Sequence, residues 1–241
     1  MAVPKTAEVV LARTVGDHTR LLELEIAEPL GFLGGQYMII DSGLVASNGK
    51  AIKRAYSLIS SDDDQRRVQL AVQHIPNGPG SDYIHGLEPG AKVSFSGPWG
   101  KFYLREDTPG STLVFSTDTG VTAALGLIQS MRFFPLLDGT MFIWLRPSVD
   151  YFLPEEYVRG LIPAECCDVR IGTIPATNHD ARLPAVRTVL RQILFGPALT
   201  RAFVSGDGAV NVALLDDLVS AGVPVSNENV ESFFNMPKKS A

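Results

Sequence analysis

The chain has 241 residues, of which 45% are hydrophobic and 20% charged, a composition typical of a folded protein with a buried core. Its formal charge of −5 at pH 7 disfavours binding to duplex nucleic acid, because such proteins usually carry a basic face, although a local basic patch could still dock an acidic protein. The sequence has no run of about 18 or more apolar residues, so we predict no membrane span.

The two cysteines are adjacent, and two thiols can build neither a disulfide framework nor a four-thiolate cluster. We interpret Cys166 and Cys167 as structural thiols. The four histidines lack metal-ligand spacing, so we expect no metal site. The N-terminal residues lack an apolar segment of signal-peptide length, which favours a cytoplasmic location.

Residues 5–105 contain short β-forming runs separated by turn signals, the pattern of an antiparallel barrel or sandwich. The runs are AEVVLAR, RLLELEIA, GQYMIID, AYSLIS, RVQLAVQ and AKVSFSG. One helical pattern, GSDYIHGL, interrupts them, and we place Ser81 there as the N-cap. We therefore predict a first domain over residues 1–107 that is an antiparallel β-barrel.

From residue 108 onward, strand and helix patterns alternate, which predicts an open, mostly parallel α/β sheet over residues 108–241. The strand candidates are STLVFST, GTMFIWLR, CDVRIGTI and TRAFVSG. The helix candidates are TAALGLIQSMRFF, with Ala124, Leu127, Ile128 and Met131 on one face, then PEEYVRGL, LPAVRTVLRQILFG and AVNVALLDDLVSAG. Charge, proline and glycine cluster in LREDTPGST, where we place the boundary between the two domains.

The fourth strand candidate carries a cation, an aromatic ring and a hydroxyl close together. Strand periodicity places Arg54 and Tyr56 on one face, and Ala55 and Ser57 on the other. These residues could form an aromatic ring packed on an arginine stem. They could also hold a planar cofactor by ring stacking, a bidentate phosphate contact and a hydrogen bond from the serine.

A glycine-rich stretch with Gly78, Gly80 and Ser81 opens the helix candidate of the front half. Backbone N–H groups at a helix start favour a pyrophosphate, and an ordinary capped helix after a turn is the alternative. Further along, GPWGKFYL forms a tight glycine turn that ends in aromatic residues.

With these motifs in order, the sequence resembles the ferredoxin–NAD(P) reductase superfamily, flavoproteins with an FAD-binding barrel and a nicotinamide-dinucleotide-binding α/β domain. The matching motifs are Gly35-Gln36-Tyr37, Arg54-Ala55-Tyr56-Ser57, the set Gly78, Gly80 and Ser81, and Gly97-Pro98-Trp99-Gly100-Lys101-Phe102. Their order and spacing cover essentially the whole chain.

The resemblance implies cofactor-binding roles for the barrel residues. Tyr56 would stack on the isoalloxazine, Arg54 would pair with the FAD pyrophosphate, and Ser57 would approach the flavin N5, with Ala55 in the same motif. The glycine-rich stretch and Ser81 would hold the phosphates.

The nicotinamide loop of the family, which resembles G-G-T-G-[IV]-T-P, is only partly kept in STDTGVTAA. Thr119, Gly120 and Thr122 match and are candidate cofactor-binding residues. Thr117 and Asp118 replace glycines that would let a ligand approach the backbone, and Asp118 would repel a phosphate unless a cation intervenes. A plain strand-to-helix turn capped by Thr122 is the alternative.

Near the end, VSGDG stands where the family often has C-G-P. Ser205 could hydrogen-bond the nicotinamide carboxamide, with Gly206 beside it. In the tail, the resemblance implies that Glu231, Phe233 and Phe234 bring a carboxylate and aromatic rings to the flavin, and a hydrophobic end docked into the core is the alternative. Our candidate catalytic residues are Ser57, Ser205 and Glu231, and we interpret Lys238 and Lys239 as a solvated end.

The residues after the third α/β strand bear on cofactor choice. Thr173 and Ile174 stand where NADPH-preferring members often have Ser-Arg, an arginine that clamps the 2′-phosphate. Arg146, Arg170 and Arg182 could substitute for that arginine, but no pattern directs them there. We therefore favour NADH over NADPH.

The function implied by the resemblance is that of an FAD-dependent NAD(P)H oxidoreductase. It would pass electrons to a separate carrier, which is a ferredoxin, a flavodoxin or the oxygenase component of a multi-protein system. One alternative is a flavin-carrying electron-transfer subunit of a larger complex with a degenerate nicotinamide site. Another is a binding module that has lost its flavin.

Overall fold

A computed structural model describes residues 4–16, 18–106, 108–166 and 168–236. The predictions for Cys167, Lys238 and Lys239 fall outside these residues, as does Asp107 at the predicted domain boundary. Among the described residues, none of the helices has both the length and the apolar character that crossing a membrane requires.

The front half forms a six-stranded antiparallel sheet whose order is β4-β3-β6-β1-β2-β5. The strands are β1 (Lys5–Val15), β2 (Thr19–Ile26), β3 (Tyr37–Val45), β4 (Ala51–Ser57), β5 (Arg67–Gln73) and β6 (Lys92–Trp99). The first helix, α1 (Pro79–His85), follows β5. Just beyond β4, the N–H of Ile59 donates to the carbonyl of Gln69 in β5 at 2.9 Å, which draws the sheet's two edge strands together.

Alternating apolar residues of this sheet point into a shared core. Strands β1, β2, β3, β5 and β6 each contribute a side chain with no measurable exposure: Val9, Leu24, Met38, Val68 and Val93. Period-two burial of this kind is what the sequence runs predicted for a barrel with one face inside.

The back half forms a five-stranded parallel sheet with the order β11-β10-β7-β8-β9. Its strands are β7 (Ser111–Thr117), β8 (Thr140–Arg146), β9 (Asp168–Thr173), β10 (Leu199–Asp207) and β11 (Val230–Phe234). Its helices are α2 (Val121–Ile128), α3 (Glu155–Leu161), α4 (Arg182–Leu194) and α5 (Gly208–Ser220), and short 3₁₀ turns span Asp118–Gly120, Phe134–Gly139 and Asn227–Asn229. The strand order reverses between β7 and β10, so the carboxyl ends of these two strands form the switch point at which such sheets bind ligands.

Successive residues of β7 divide between the two faces of the parallel sheet. Val114 packs towards α2, α3 and the barrel, whereas Leu113 and Phe115 pack towards α4 and α5. Both faces of the sheet are therefore covered, which explains why β7, β8 and β10 are buried along most of their length. The predicted fold class, an antiparallel barrel followed by an open parallel α/β sheet, is confirmed.

Glycines allow α2 to lie directly against the barrel. A Cβ atom added at Gly126 would lie 2.1 Å from the carbonyl oxygen of Leu58, and one added at Gly34 would lie 2.2 Å from the carbonyl oxygen of Gly126. Asp62 strengthens the same contact, since its carboxylate accepts hydrogen bonds from the Gly34 N–H at 3.0 Å, the Ser130 hydroxyl at 2.6 Å and the Met131 N–H at 2.8 Å. This seam positions the two sheets for a shared site.

Two local predictions were wrong, and one strand was not predicted. Helix α1 begins at Pro79 with Gly78 in the capping position, so Ser81 is not the N-cap, because proline is well suited to a helix's first turn. Helix α2 ends at Ile128, which leaves Met131 outside the helix and 63% exposed. The tail segment VESFF pairs with β10 as a fifth parallel strand, which the sequence analysis did not predict.

Candidate cofactor-binding cleft

A cleft of about 380 Å³ lies where the barrel meets the parallel sheet. The barrel contributes Ala55, Tyr56 and Ser57 from β4, Ala71, Val72 and Gln73 from β5, and the following Ile75. The α/β half contributes Thr119, Thr122, Tyr151, Phe152, Thr177, Phe233 and Phe234. The cleft thus brings together seven of the residues that the sequence proposed for cofactor binding: Ala55, Tyr56, Ser57, Thr119, Thr122, Phe233 and Phe234.

Tyr56 forms part of the barrel wall of this cleft. Its ring packs against the barrel core, and its hydroxyl donates to the carbonyl of Gly80 at 3.3 Å. Burial raises the pKa of Tyr56 to about 12, so the phenol stays protonated at neutral pH. Ser57, the next residue, is buried at 6% exposure and faces the same space. β4 therefore presents a fixed aromatic ring beside a hydroxyl group.

The glycine-rich turn lies directly beside Arg54. A Cβ atom added at Gly80 would lie 2.7 Å from Cγ of Arg54, so the glycine makes room for the arginine stem. The Arg54 guanidinium is exposed and donates to the carbonyl of Lys53 at 2.8 Å. An exposed cation, a glycine turn and a tyrosine ring in one neighbourhood fit a ligand that joins a planar ring to a pyrophosphate.

The Ser81 hydroxyl belongs to the turn itself. It accepts a hydrogen bond from the N–H of Ile75 at 3.1 Å and lies 2.8 Å from the carbonyl oxygen of Gly78. Ser81 is 7% exposed, and its side chain holds the turn in shape.

On the opposite wall, Thr122 donates its hydroxyl to the carbonyl of Thr119 at 2.9 Å within the first turn of α2, whose N-cap position, Gly120, makes no side-chain capping bond. A hydrogen bond of 3.0 Å between the Tyr151 hydroxyl and Oε1 of Gln73 crosses the seam. Burial is the main cause of the raised pKa of Tyr151, so this residue acts as a neutral donor. Tyr151, Gln73 and Thr177 were missed from the sequence, since loop and strand-end residues of this kind carry no motif.

Behind the cleft, the turns that end β7 and β10 are joined by contacts of Ser205, Gly120 and Gly206. The Ser205 hydroxyl donates to the Gly120 carbonyl at 2.9 Å. A Cβ atom added at Gly120 would lie 2.4 Å from the Cα of Gly206, and one added at Gly206 would lie 2.3 Å from the carbonyl oxygen of Thr117. The turns that end β7 and β10 are therefore in backbone contact, which explains the glycine at each position.

A buried ion-pair cluster lies at the same strand ends. The Arg182 guanidinium pairs with Asp118 through Nη2 and with Asp207 through Nε at 3.1 Å. Asp118 has a φ of 52°, the left-handed region that favours glycine. Desolvation raises the pKa of Asp118, and the charge of Arg182 opposes that shift. Arg182 is thus a cation beside Asp118, the circumstance in which the sequence analysis expected Asp118 not to repel a phosphate.

Glu231 lies on β11, near the barrel residue Tyr37. Burial raises the pKa of Glu231 to about 7, and the charge of Glu231 adds to burial in raising the pKa of Tyr37. The tail strand therefore delivers an ionisable carboxyl group, together with Phe233 and Phe234, to the barrel side of the seam.

Comparisons with known proteins agree with this geometry. A family model described as the oxidoreductase FAD-binding domain matches residues 6–103. Ferredoxin–NADP reductase B of Sorangium cellulosum is 35% identical over 131 residues, which is 54% of this chain and 52% of that protein. The ferredoxin–NAD(P)(+) reductase component of the naphthalene 1,2-dioxygenase/salicylate 5-hydroxylase systems of a Ralstonia species is 30% identical over 222 residues, 89% of this chain and 64% of that protein.

Solved structures extend the agreement in fold to the whole chain. The crystal structure of the Amycolatopsis cytochrome P450 reductase GcoB matches with a TM-score of 0.74 at 20% identity, over 98% of this chain and 70% of that one. The chain spans about half the length of its Sorangium relative. Residues 6–103 thus match an oxidoreductase FAD-binding domain, the whole chain shares the two-domain fold of a solved reductase, and the predicted resemblance to the ferredoxin–NAD(P) reductase superfamily is supported.

Proposed function

We propose that this protein is an FAD-dependent NAD(P)H oxidoreductase that passes electrons to a separate one-electron carrier. The observation that carries the proposal is the seam cleft, in which Tyr56 and Ser57 of the barrel face Thr119 and Thr122 of the α/β half. Ligand sites of two-domain proteins favour such seams. When bound, FAD supplies the redox chemistry, because it accepts a hydride and releases electrons singly.

The chain's own residues bind and orient the two cofactors. The Tyr56 ring offers a stacking surface, the Arg54 guanidinium offers a charge for the pyrophosphate, and Gly80 and Ser81 offer backbone N–H donors in the first turn of α1. Phe233 and Phe234 cover the cleft from β11 and limit the access of water. A wall made from both halves brings the donor and acceptor together, which removes much of the entropic cost of their encounter.

We propose that Ser57 and Glu231 keep their predicted roles in this arrangement, and that Ser205 has a positioning role in place of the predicted contact with the nicotinamide carboxamide. Ser57 lies in the cleft next to the stacking ring. Glu231, with a pKa of about 7, can hold or release a proton near neutral pH. Ser205 is proposed to act from behind the wall, since its hydroxyl is engaged by the Gly120 carbonyl and positions the turn that follows β7.

We propose NADH as the preferred donor because each arginine considered for a 2′-phosphate already has a carboxylate partner. Arg146 pairs with Glu155 at 2.8 Å, and Arg170 pairs with Asp168 at 2.7 Å. Arg182 is held by Asp118. A paired guanidinium must give up its carboxylate to bind a phosphate, which disfavours the dinucleotide with the additional phosphate.

For the acceptor, we propose a ferredoxin, a flavodoxin or an oxygenase component. Support comes from the names of the relatives, which are a ferredoxin–NADP reductase and the reductase component of a dioxygenase system. A second candidate function is a flavin-carrying electron-transfer subunit with a degenerate nicotinamide site. The buried Asp118–Arg182–Asp207 cluster at the switch point favours this alternative.

An absorbance spectrum recorded without oxygen, before and after each pyridine nucleotide is added, tests the proposal. We expect wild-type protein to purify with flavin absorbance that bleaches at lower concentrations of NADH than of NADPH. We expect Tyr56→Ala to retain roughly severalfold less FAD, because a stacking surface worth about 0.5–1.5 kcal/mol is removed. Tyr103→Ala is the control, since that ring packs on Arg105 outside the cleft.

Each outcome separates the candidate functions. A flavin that neither nucleotide bleaches would favour the electron-transfer subunit. A colourless wild-type protein that does not take up added FAD would exclude both functions.

A further inference from the structure

The ion-pair cluster at the ends of β7 and β10 is buried and involves all three side-chain nitrogens of its arginine. Arg182 is 4% exposed, and Asp118 and Asp207 are each 1% exposed. The guanidinium contacts Asp118 through Nη2, Asp207 through Nε and the carbonyl of Pro175 through Nη1 at 2.7 Å. Two carboxylates therefore surround one cation, and the cluster has an excess of negative charge when both are ionised.

This cluster lies directly behind the cleft wall. Asp118 precedes Thr119, which lines the cleft, and Thr177, another lining residue, follows Pro175 by two positions. The charge of Asp118 also contributes to the raised pKa of Tyr151, a third residue of the same wall. Dinucleotide phosphates bind at the switch point of a parallel sheet, where helix starts and cations attract them.

The two carboxylates serve different purposes. Asp207 caps α5, since its Oδ1 accepts from the N–H of Ala209 at 3.0 Å and from Nδ2 of Asn235 at 3.0 Å. Asp118 occupies a backbone position with a φ of 52°, which glycine adopts without steric cost. The backbone therefore does not require an aspartate at this position. What the aspartate side chain adds is a negative charge paired with the Arg182 guanidinium.

We propose that Asp118 is a specificity-determining residue that takes the place of a ligand phosphate on Arg182. While Asp118 holds the guanidinium, the switch point discriminates against anionic dinucleotides. When the carboxylate is removed, Nη2 of Arg182 becomes available to a phosphate, while Nε and Nη1 keep their contacts with Asp207 and Pro175. This inference rests on the proposed nicotinamide site and concerns how tightly that site binds its ligand.

Calorimetric titration of the FAD-loaded protein with NAD⁺ and with NADP⁺ tests the inference without relying on turnover. We expect Asp118→Gly and Asp118→Asn each to bind at least one nucleotide about tenfold or more tightly than wild type, because a buried competing charge is lost. Asn tolerates the left-handed conformation and keeps the side chain's size, so it decides the result if the glycine variant does not fold. Asp217→Asn is the matched control, since Asp217 pairs with Arg187 at 2.7 Å between α5 and α4 and should leave affinity unchanged.

The outcomes distinguish this inference from the proposed function. Equal affinities in wild type and both Asp118 variants would overturn the inference and leave the proposed function standing. Tighter binding by Asp118→Gly alone would also overturn it, because side-chain bulk and not competition for Arg182 would then be the cause. If no variant binds either nucleotide, both the inference and the proposed donor fall, and flavin absorbance of the same samples shows whether FAD binding survives.

Discussion

At the scale of single residues, Glu231 is a carboxyl group whose ionisation is opposed by the fold. Its ordinary pKa of 4.5 rises to about 7 because β11 and the barrel remove it from water. Between pH 4.5 and about pH 7, the Glu231 carboxyl is protonated in the folded state and has released its proton in the unfolded chain. This difference makes the free energy of unfolding fall as the pH rises from about 4.5 to about 7.

Glu231→Gln should remove this part of the pH dependence. Above pH 7, we expect the variant to melt at a higher temperature than wild type, because no carboxylate is then buried. The difference should shrink as the pH falls and vanish well below pH 4.5, where the wild-type carboxyl is protonated in both states. Melting temperatures measured across this range, with the exposed Glu28→Gln as control, check the prediction. A difference between Glu231→Gln and wild type that is constant with pH would contradict it.

The sequence predicted some site residues far better than others. Tyr56 and Ser57 were found because an aromatic and a hydroxyl inside an apolar strand form a recognisable motif. Gln73 and Tyr151 were missed because their contact joins distant parts of the chain and involves residue types that are common on any surface. Arg182 was considered for a phosphate, but its pairing with Asp118 depends on a helix start and a strand end meeting in space.

At the scale of elements, helix α2 is the part of the α/β half that meets the barrel most closely. Its eight residues are all buried, and Gly126 lies against the carbonyl group of Leu58. Because the obstructing atoms belong to the backbone, a larger residue cannot be accommodated by a change of rotamer. The helix itself would have to move.

Gly126→Ala should therefore destabilise the protein, by about 1–3 kcal/mol or more, because the added methyl group would lie 2.1 Å from the Leu58 oxygen. Gly160→Ala is the matched control, since that glycine lies in α3 with no atom within 4 Å of its added Cβ. We expect this control to be neutral or to gain about 0.5–1 kcal/mol from better helix propensity. Urea denaturation measures both changes, and equal stability of the two variants would refute the tight contact at Gly126.

Most elements could be predicted from the sequence because their periodicity is local. Helices α4 and α5 follow apolar spacing of the 3.6-residue type and end near Gly196 and Gly222, as expected. The tail could not be predicted as a strand, because VESFF becomes β11 only through its pairing with β10. Ser81 was misplaced because proline and glycine define the start of α1 without a side-chain cap.

At the scale of the whole molecule, the two halves share one hydrophobic core. Leu21, Ile59 and Phe102 of the front half belong to the same buried cluster as Leu125 and Leu127 of α2. The order of barrel and sheet was predictable from the change of pattern along the chain. How closely the halves dock was not predictable, because small residues and backbone groups form the contact.

Asp62 connects these halves by polar contacts, so Asp62→Ala should weaken their docking. Its loss leaves the N–H groups of Gly34 and Met131 and the Ser130 hydroxyl without their acceptor, at a cost of about 1–3 kcal/mol. Asp63→Ala is the control, since that side chain is exposed and accepts only a local bond from Asp64 among the described contacts. Thermal melting followed by both flavin fluorescence and circular dichroism checks this. Identical melting of the two variants would count against a docking role for Asp62.

The backbone contact between the turns that end β7 and β10 constrains how this lineage can evolve. A side chain added at Gly120 would meet main-chain atoms of Gly206, and one added at Gly206 would meet the main chain of Thr117. Because every residue type has these main-chain atoms, a substitution at the neighbouring position cannot make room. These positions must therefore be inherited together, and descendants could widen the turn only by inserting residues.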